Sequence, residues 1–82
     1  MLVIRVLEEQ AAGGKYLLSY DPDAADGRGV ATFTDDKSKA MKFKDFVEAW
    51  ELWRKQSALR PTRPDGKPNR PLTAFTVTFE NV

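Results

Sequence analysis

The spacing of apolar and polar positions divides the chain into short strands and one helix. Residues 2–7, Leu-Val-Ile-Arg-Val-Leu, are short and β-branched. They predict a strand, with Arg5 marking a wet face or edge. Ala11-Ala12-Gly13-Gly14 reads as a turn, and residues 15–20, Lys-Tyr-Leu-Leu-Ser-Tyr, as the second strand of a loose hairpin. Residues 21–29, DPDAADGRG, carry turn chemistry throughout, with Pro22 suited to a turn start and Asp26-Gly27 a strong turn dipeptide. Residues 30–33 predict a short third strand. Thr34 is a good N-cap, with Asp35 and Asp36 in the turn that follows, so a short helix or turn is expected over 35–40. Met41-Lys42-Phe43 is then an extended step.

Asp45 opens the clearest element. Asp45 and Glu48 have the spacing of a capping box, with aspartate in place of Ser or Thr. At 100° per residue, Phe46, Ala49, Trp50, Trp53 and Ser57 fall on one face about 100° wide. Glu48, Glu51 and Lys55 lie opposite, and Glu51 and Lys55 are an i,i+4 pair in the favourable order. An amphipathic helix is expected over 45–58, stopped by Pro61. Residues 59–71, LRPTRPDGKPNRP, hold four of the five prolines. They predict a loop, stiffened because proline restricts the unfolded chain. Over residues 73–80 the pattern alternates: Phe75, Val77 and Phe79 one way, Thr76, Thr78 and Glu80 the other, a strand.

The sum is an α+β single domain over 1–82: a small three- to four-stranded, mostly antiparallel sheet with one main helix on one face. Phe75, Val77, Phe79, Phe46, Trp50 and Trp53 are the expected core.

Composition narrows the chemistry. The chain is 41% hydrophobic and 30% charged, a globular mix that is neither disordered nor membranous. Cysteine and histidine are absent. This excludes disulfides, thiolate or imidazole zinc sites, and Ser-His or Cys-His nucleophiles. No apolar run approaches the roughly 20 residues that span a bilayer, and the N-terminus does not read as a signal peptide. A soluble, cytoplasmic protein is expected, with no cofactor and no metal. Asp21, Asp23 and Asp26 superficially resemble a calcium loop. Counting from Asp21, however, the glycine is seventh rather than sixth and Thr32 stands where a glutamate is needed. Asp35, Asp36, Asp45 and Glu48 read as caps, not as acid–base pairs. A carboxylate enzyme would need a deep pocket with raised pKa values, and a chain this short has little volume for one. No catalytic residue is assigned.

The net charge of +1 conceals a split. Residues 1–53 carry 7 basic and 10 acidic side chains, residues 54–82 carry 6 and 2. Lys37, Lys39, Lys42 and Lys44 are balanced by neighbouring aspartates. Arg54, Lys55, Arg60, Arg63, Lys67 and Arg70 face only Asp65 within their own segment. Arginine binds phosphate and carboxylate through a planar fork, and proline lowers the ordering cost of a binding loop. These six are the expected partner-binding residues. The segment has no aromatic residue on which bases could stack, which argues against a single-strand binder. Trp50 and Trp53 are first core candidates. Either becomes an interface or dimer anchor if the sheet is too small to cover both.

The run Thr34-Asp35-Asp36, Ala40, Phe43, Glu48-Ala49-Trp50 and Trp53, with the tail DGKPNRPLTAFTV at 65–77, resembles a pattern in small uncharacterised phage and prophage proteins. The resemblance covers about residues 28–82. It implies an origin, and no activity or catalytic residue comes with it. Phage proteins of this size often bind host proteins or nucleic acid. The expected function is therefore a non-enzymatic, phage-type binding protein in the bacterial cytoplasm. It would dock on a host protein or nucleoprotein, as an inhibitor of host defence or machinery. The alternatives are a nucleic-acid-binding module using the basic loop 54–70 and a small homo-oligomeric structural protein, in the simplest case a homodimer.

Overall fold

The first strand sits inside the sheet. In the computed structural model, which describes residues 1–8 and 12–82, β1 (Leu2–Val6) lies between β2 (Tyr16–Asp21) and β4 (Val77–Asn81), and β3 (Val30–Thr34) is outermost. All pairings are antiparallel, in the order β3-β2-β1-β4. Ala11 of the expected 11–14 turn lies outside the described residues. The fold is thus α+β, a four-stranded antiparallel sheet with one main helix.

The register sorts the two faces. Ile4 stands opposite Phe79 and Val6 opposite Val77, which puts four apolar side chains on one face. Arg5 opposite Thr78 and Val3 opposite Glu80 set the other. There Glu80 pairs with Arg5 at 3.7 Å and with Lys37 at 3.3 Å. Between β2 and β3 the register shifts from Leu17–Phe33 to Ser19–Thr32, a bulge that leaves Leu18 as the extra, exposed residue. β1 and β2 pair through Arg5 and Tyr16. Farther along, the extended step 41–43 bonds to both strands. Leu2 and Phe43 exchange N–H···O bonds of 2.9 and 2.8 Å, and Met41 N–H donates to Leu17 O at 2.9 Å.

The helix α2 (Phe46–Trp53) begins as its cap dictates, with the Asp45 carboxylate accepting from Glu48 N–H at 3.0 Å. It ends five residues before the expected limit of 58. Arg54 caps it, and the N–H groups of Ala58 and Leu59 turn instead to the Asp23 carboxylate. Lys55 therefore lies past the helix, and its i,i+4 spacing with Glu51 no longer applies. The expected strand 73–80 is also shorter. Pro71 starts a 3₁₀ helix, Pro71–Ala74, that buries Leu72, and the ladder begins only at Val77. The expected 35–40 element is a 3₁₀ turn, Lys37–Lys39, capped by Asp36 and not by Thr34.

The core departs from expectation in membership. Val3, Ile4, Val6, Leu17, Ala40, Phe43, Ala49 and Leu72 are buried. Of the six residues expected there, Trp53, Phe75, Val77 and Phe79 are partly buried, while Phe46 is 52% and Trp50 37% exposed. The helix seats on the sheet through its small residue, Ala49. A close approach through alanine leaves the bulky flanks of the helix at the rim.

Candidate functional site

A second assembly forms where two loops meet beside the helix. The first loop follows β2 and contains the short turn α1 (Ala24–Gly27). The second is the connection from Arg54 to Arg70. Asp23 joins them: its Oδ1 accepts from Ser57 Oγ at 2.8 Å, Ala58 N–H at 2.7 Å and Leu59 N–H at 2.9 Å. These donors hold the Asp23 carboxyl below its ordinary value, the Leu59 N–H contributing most. Asn69 repeats the stitch by donating to Gly27 O at 2.6 Å and Arg60 O at 2.8 Å. Two glycines allow the loops to close on each other. A Cβ at Gly27 would stand 2.5 Å from Arg60 Cβ, and one at Gly29 would stand 2.5 Å from Pro71 Cβ. Both have φ above +80°, where an L side chain is strained.

The basic loop is ordered by bonds of its own. Arg63 N–H donates to Lys67 O at 2.8 Å, Gly66 N–H to Arg63 O at 2.9 Å, and Asn69 N–H to Pro61 O at 2.9 Å. It folds back as a small hairpin against the C-terminal end of α2. There it encloses a groove of about 440 Å³, walled by Trp50 and Trp53 and ringed by Arg54, Arg63, Lys67 and Arg70. Four of the six expected basic residues are thus brought together with both tryptophans. Lys55 and Arg60 do not line this groove. Lys55 borders a pocket of about 700 Å³ that mixes Glu48 and Glu51 with cations over Met41 and Phe43. The stem of Arg60 is packed at Gly27.

The tryptophan wall continues as a row of rings. Trp53 and Trp50 have centroids 5.2 Å apart, Trp50 stacks on Phe46 at 6.1 Å, and Phe46 meets Phe79 edge-on at 5.0 Å. Trp53 is tied down by donating Nε1–H to Phe75 O at 3.2 Å. Arg54 lies over the Trp50 ring, 5.9 Å from its centroid. Val47, beside Phe46 and Trp50, is 64% exposed. Sequence reasoning did not mark Phe46 and Val47 as surface residues, because periodicity finds an apolar face without saying what covers it. It read Asp23 only as part of a turn that superficially resembles a calcium loop, because its partners lie 34 to 36 residues away. Among the described residues, the carboxylates whose pKa moves, Asp23 and Asp36, both go down, the direction opposite to that of a general acid.

No protein-family model matches the chain, and no curated protein or solved structure matches it either. Among the described residues no helix is long and apolar enough to cross a membrane.

Proposed function

We propose that the protein is a non-enzymatic binding module that docks on a partner protein, through the exposed rings of α2 and the cations beside them. The observation that carries this reading is the union of Phe46, Val47 and Trp50, all exposed, with Arg54, Arg63, Lys67 and Arg70 at one end of the row. Interface cores are enriched in tryptophan and arginine, and rim charges steer the partner. The partner surface that fits is an apolar patch bordered by carboxylates. Val47→Glu is the clean test, since it changes an exposed side chain and should leave the thermal transition within a degree or two. We expect it to abolish capture of a discrete, nuclease-resistant partner, and Trp50→Ser to weaken capture by tenfold or more. Capture that survives both substitutions would overturn the reading.

A second reading has one specific observation in its favour. The basic loop has no aromatic residue of its own, but the fold sets Trp50 and Trp53 against its arginines. Stacking surface and phosphate-binding cations are then adjacent, as a single nucleic-acid strand requires. Capture that disappears with nuclease and falls steeply with salt would favour this reading.

A further inference from the structure

Three arginines from the two loops converge on a second cleft, of about 330 Å³, next to the tryptophan groove. Arg28 comes from the end of α1, and Arg63 and Arg70 from the two arms of the proline-rich hairpin. Among the described residues no acidic side chain lines the cleft. Arg63 is 3.4 Å from Asp65, at the exposed tip of the hairpin. Among the described residues no carboxylate pairs with Arg28 or Arg70.

Like charges do not gather without something to hold them. Here the backbone does it. Gly29 lets Pro71 close to contact distance, which brings the preceding residues of each loop, Arg28 and Arg70, to the same spot. The Arg70 carbonyl is pinned in turn by Thr73, whose Oγ1 donates at 2.6 Å and whose N–H donates at 3.0 Å. Asn69 and Asp23 fix the two loops to each other. The backbone positions that carry Arg28 and Arg70 are therefore fixed before any ligand arrives, and an anion would relieve the mutual repulsion of the three side chains. Guanidinium forks match the oxygens of a phosphoryl group two at a time. The cleft shares Arg63, Arg70 and Thr73 with the groove walled by Trp50 and Trp53. A ligand anchored here by phosphate can lay a flat ring on the indoles.

We propose that the Arg28–Arg63–Arg70 cleft is a phosphoryl-binding site, and that its ligand is a nucleotide phosphate whose base lies against the tryptophan wall. The proposal goes beyond the docking reading and stands or falls separately, because Arg28 is outside the docking face and Val47 is outside the cleft. The test titrates the whole protein with inorganic phosphate, deoxyribose phosphate, thymidine monophosphate and oligothymidylate, read by tryptophan fluorescence and by amide shifts at Arg28 and Arg70. Saturable binding of all four is expected. Thymidine monophosphate should bind about tenfold tighter than deoxyribose phosphate, the size of one stacked base. Arg28→Ala should weaken every probe by tenfold or more, and Arg28→Lys, which keeps the charge but not the fork, should recover part of the loss. Trp50→Ala should erase the advantage of the base and leave inorganic phosphate unchanged. Oligothymidylate binding tighter than the monophosphate would make a strand the source of the phosphate; the reverse order would make it a free nucleotide. Failure to saturate with any probe at millimolar concentration overturns the proposal, as does binding that Arg28→Ala leaves intact. Neither result touches capture by the Val47 face.

Discussion

The core around β1 and the platform made by the two loops are held by different physics. In the core, Val3, Ile4, Val6, Leu17 and Leu72 are at most 1% exposed, and burial of apolar surface does the work. Burial has no direction, so many sequences of the right period would serve. The platform is held by named polar pairs, Asp23 to three donors and Asn69 to two carbonyls, and by two glycines that let the loops close on Arg60 and Pro71. Each of these depends on one residue. The difference separates stability from function. The strands and the helix seat supply the fold, and the platform places Arg28, Arg63 and Arg70 beside the tryptophans without needing much apolar area of its own.

Ile4→Ala should produce the largest effect and should act on the whole molecule. Ile4 is 1% exposed on the interior strand β1, opposite Phe79 of β4, and its truncation should cost about 3–4 kcal/mol. A chain of this length has a total stability of roughly 4–12 kcal/mol, so much of it would go. Denaturant unfolding should shift as a single transition, with binding lost only as the fold is lost. Gly29→Ala should cost less, about 2 kcal/mol, from a strained φ and a Cβ placed 2.5 Å from Pro71. Its signature is different. Amide shifts should change at 28–29 and 69–73 while β1 and β4 stay in place, and phosphate binding should fail at temperatures where the sheet is intact. If Gly29→Ala and Ile4→Ala lower the same cooperative transition with no local signature, core and platform are one unit and the comparison collapses.

What the sequence reveals follows the same division. The alternation of Val77, Phe79 and their neighbours, the Asp45 cap and the extended step at 41–43 all depend on local rules, and all are found in the structure. The helix face was readable as apolar, but its burial was not. Ala49 brings the helix close to the sheet, Leu17 and Leu72 fill the space beneath, and Phe46 and Trp50 are left outside. Charge segregation pointed to the basic loop, since it is visible in one dimension. Its neighbours were not visible. Arg28 belongs to the other loop, and the tryptophans join the arginines only because Asp23 and Asn69 fold the loop back across 34 to 42 residues of sequence. No period encodes a pairing of that kind.

The smallest predicted effect separates the two regions by pH. The Asp23 carboxyl lies below its usual 3.8, chiefly because Leu59 N–H, and after it the Ser57 hydroxyl, favour the ionised form. A folded-state pKa below the unfolded one means that the carboxylate stabilises the protein at pH above about 3.8 and that this contribution disappears as pH falls through the folded value. Acid below pH 3.8 should therefore loosen the platform first. The Ala58 and Leu59 amide resonances should titrate together, with a midpoint under 3.8, while those of Ile4 and Val6 stay still. Asp36 is lowered in the same direction by the Ser38 hydroxyl and N–H, but it reports at Ser38, so the two carboxylates are resolved by where the shift occurs. In Asp23→Asn the step at 58–59 should vanish, because nothing there ionises, and the platform should be looser at neutral pH than in the native chain. A midpoint for Ala58 and Leu59 at or above 3.8 would mean that the carboxylate gains nothing from its three donors, and the link between the loops would then have to rest on Asn69 and the glycine contacts alone.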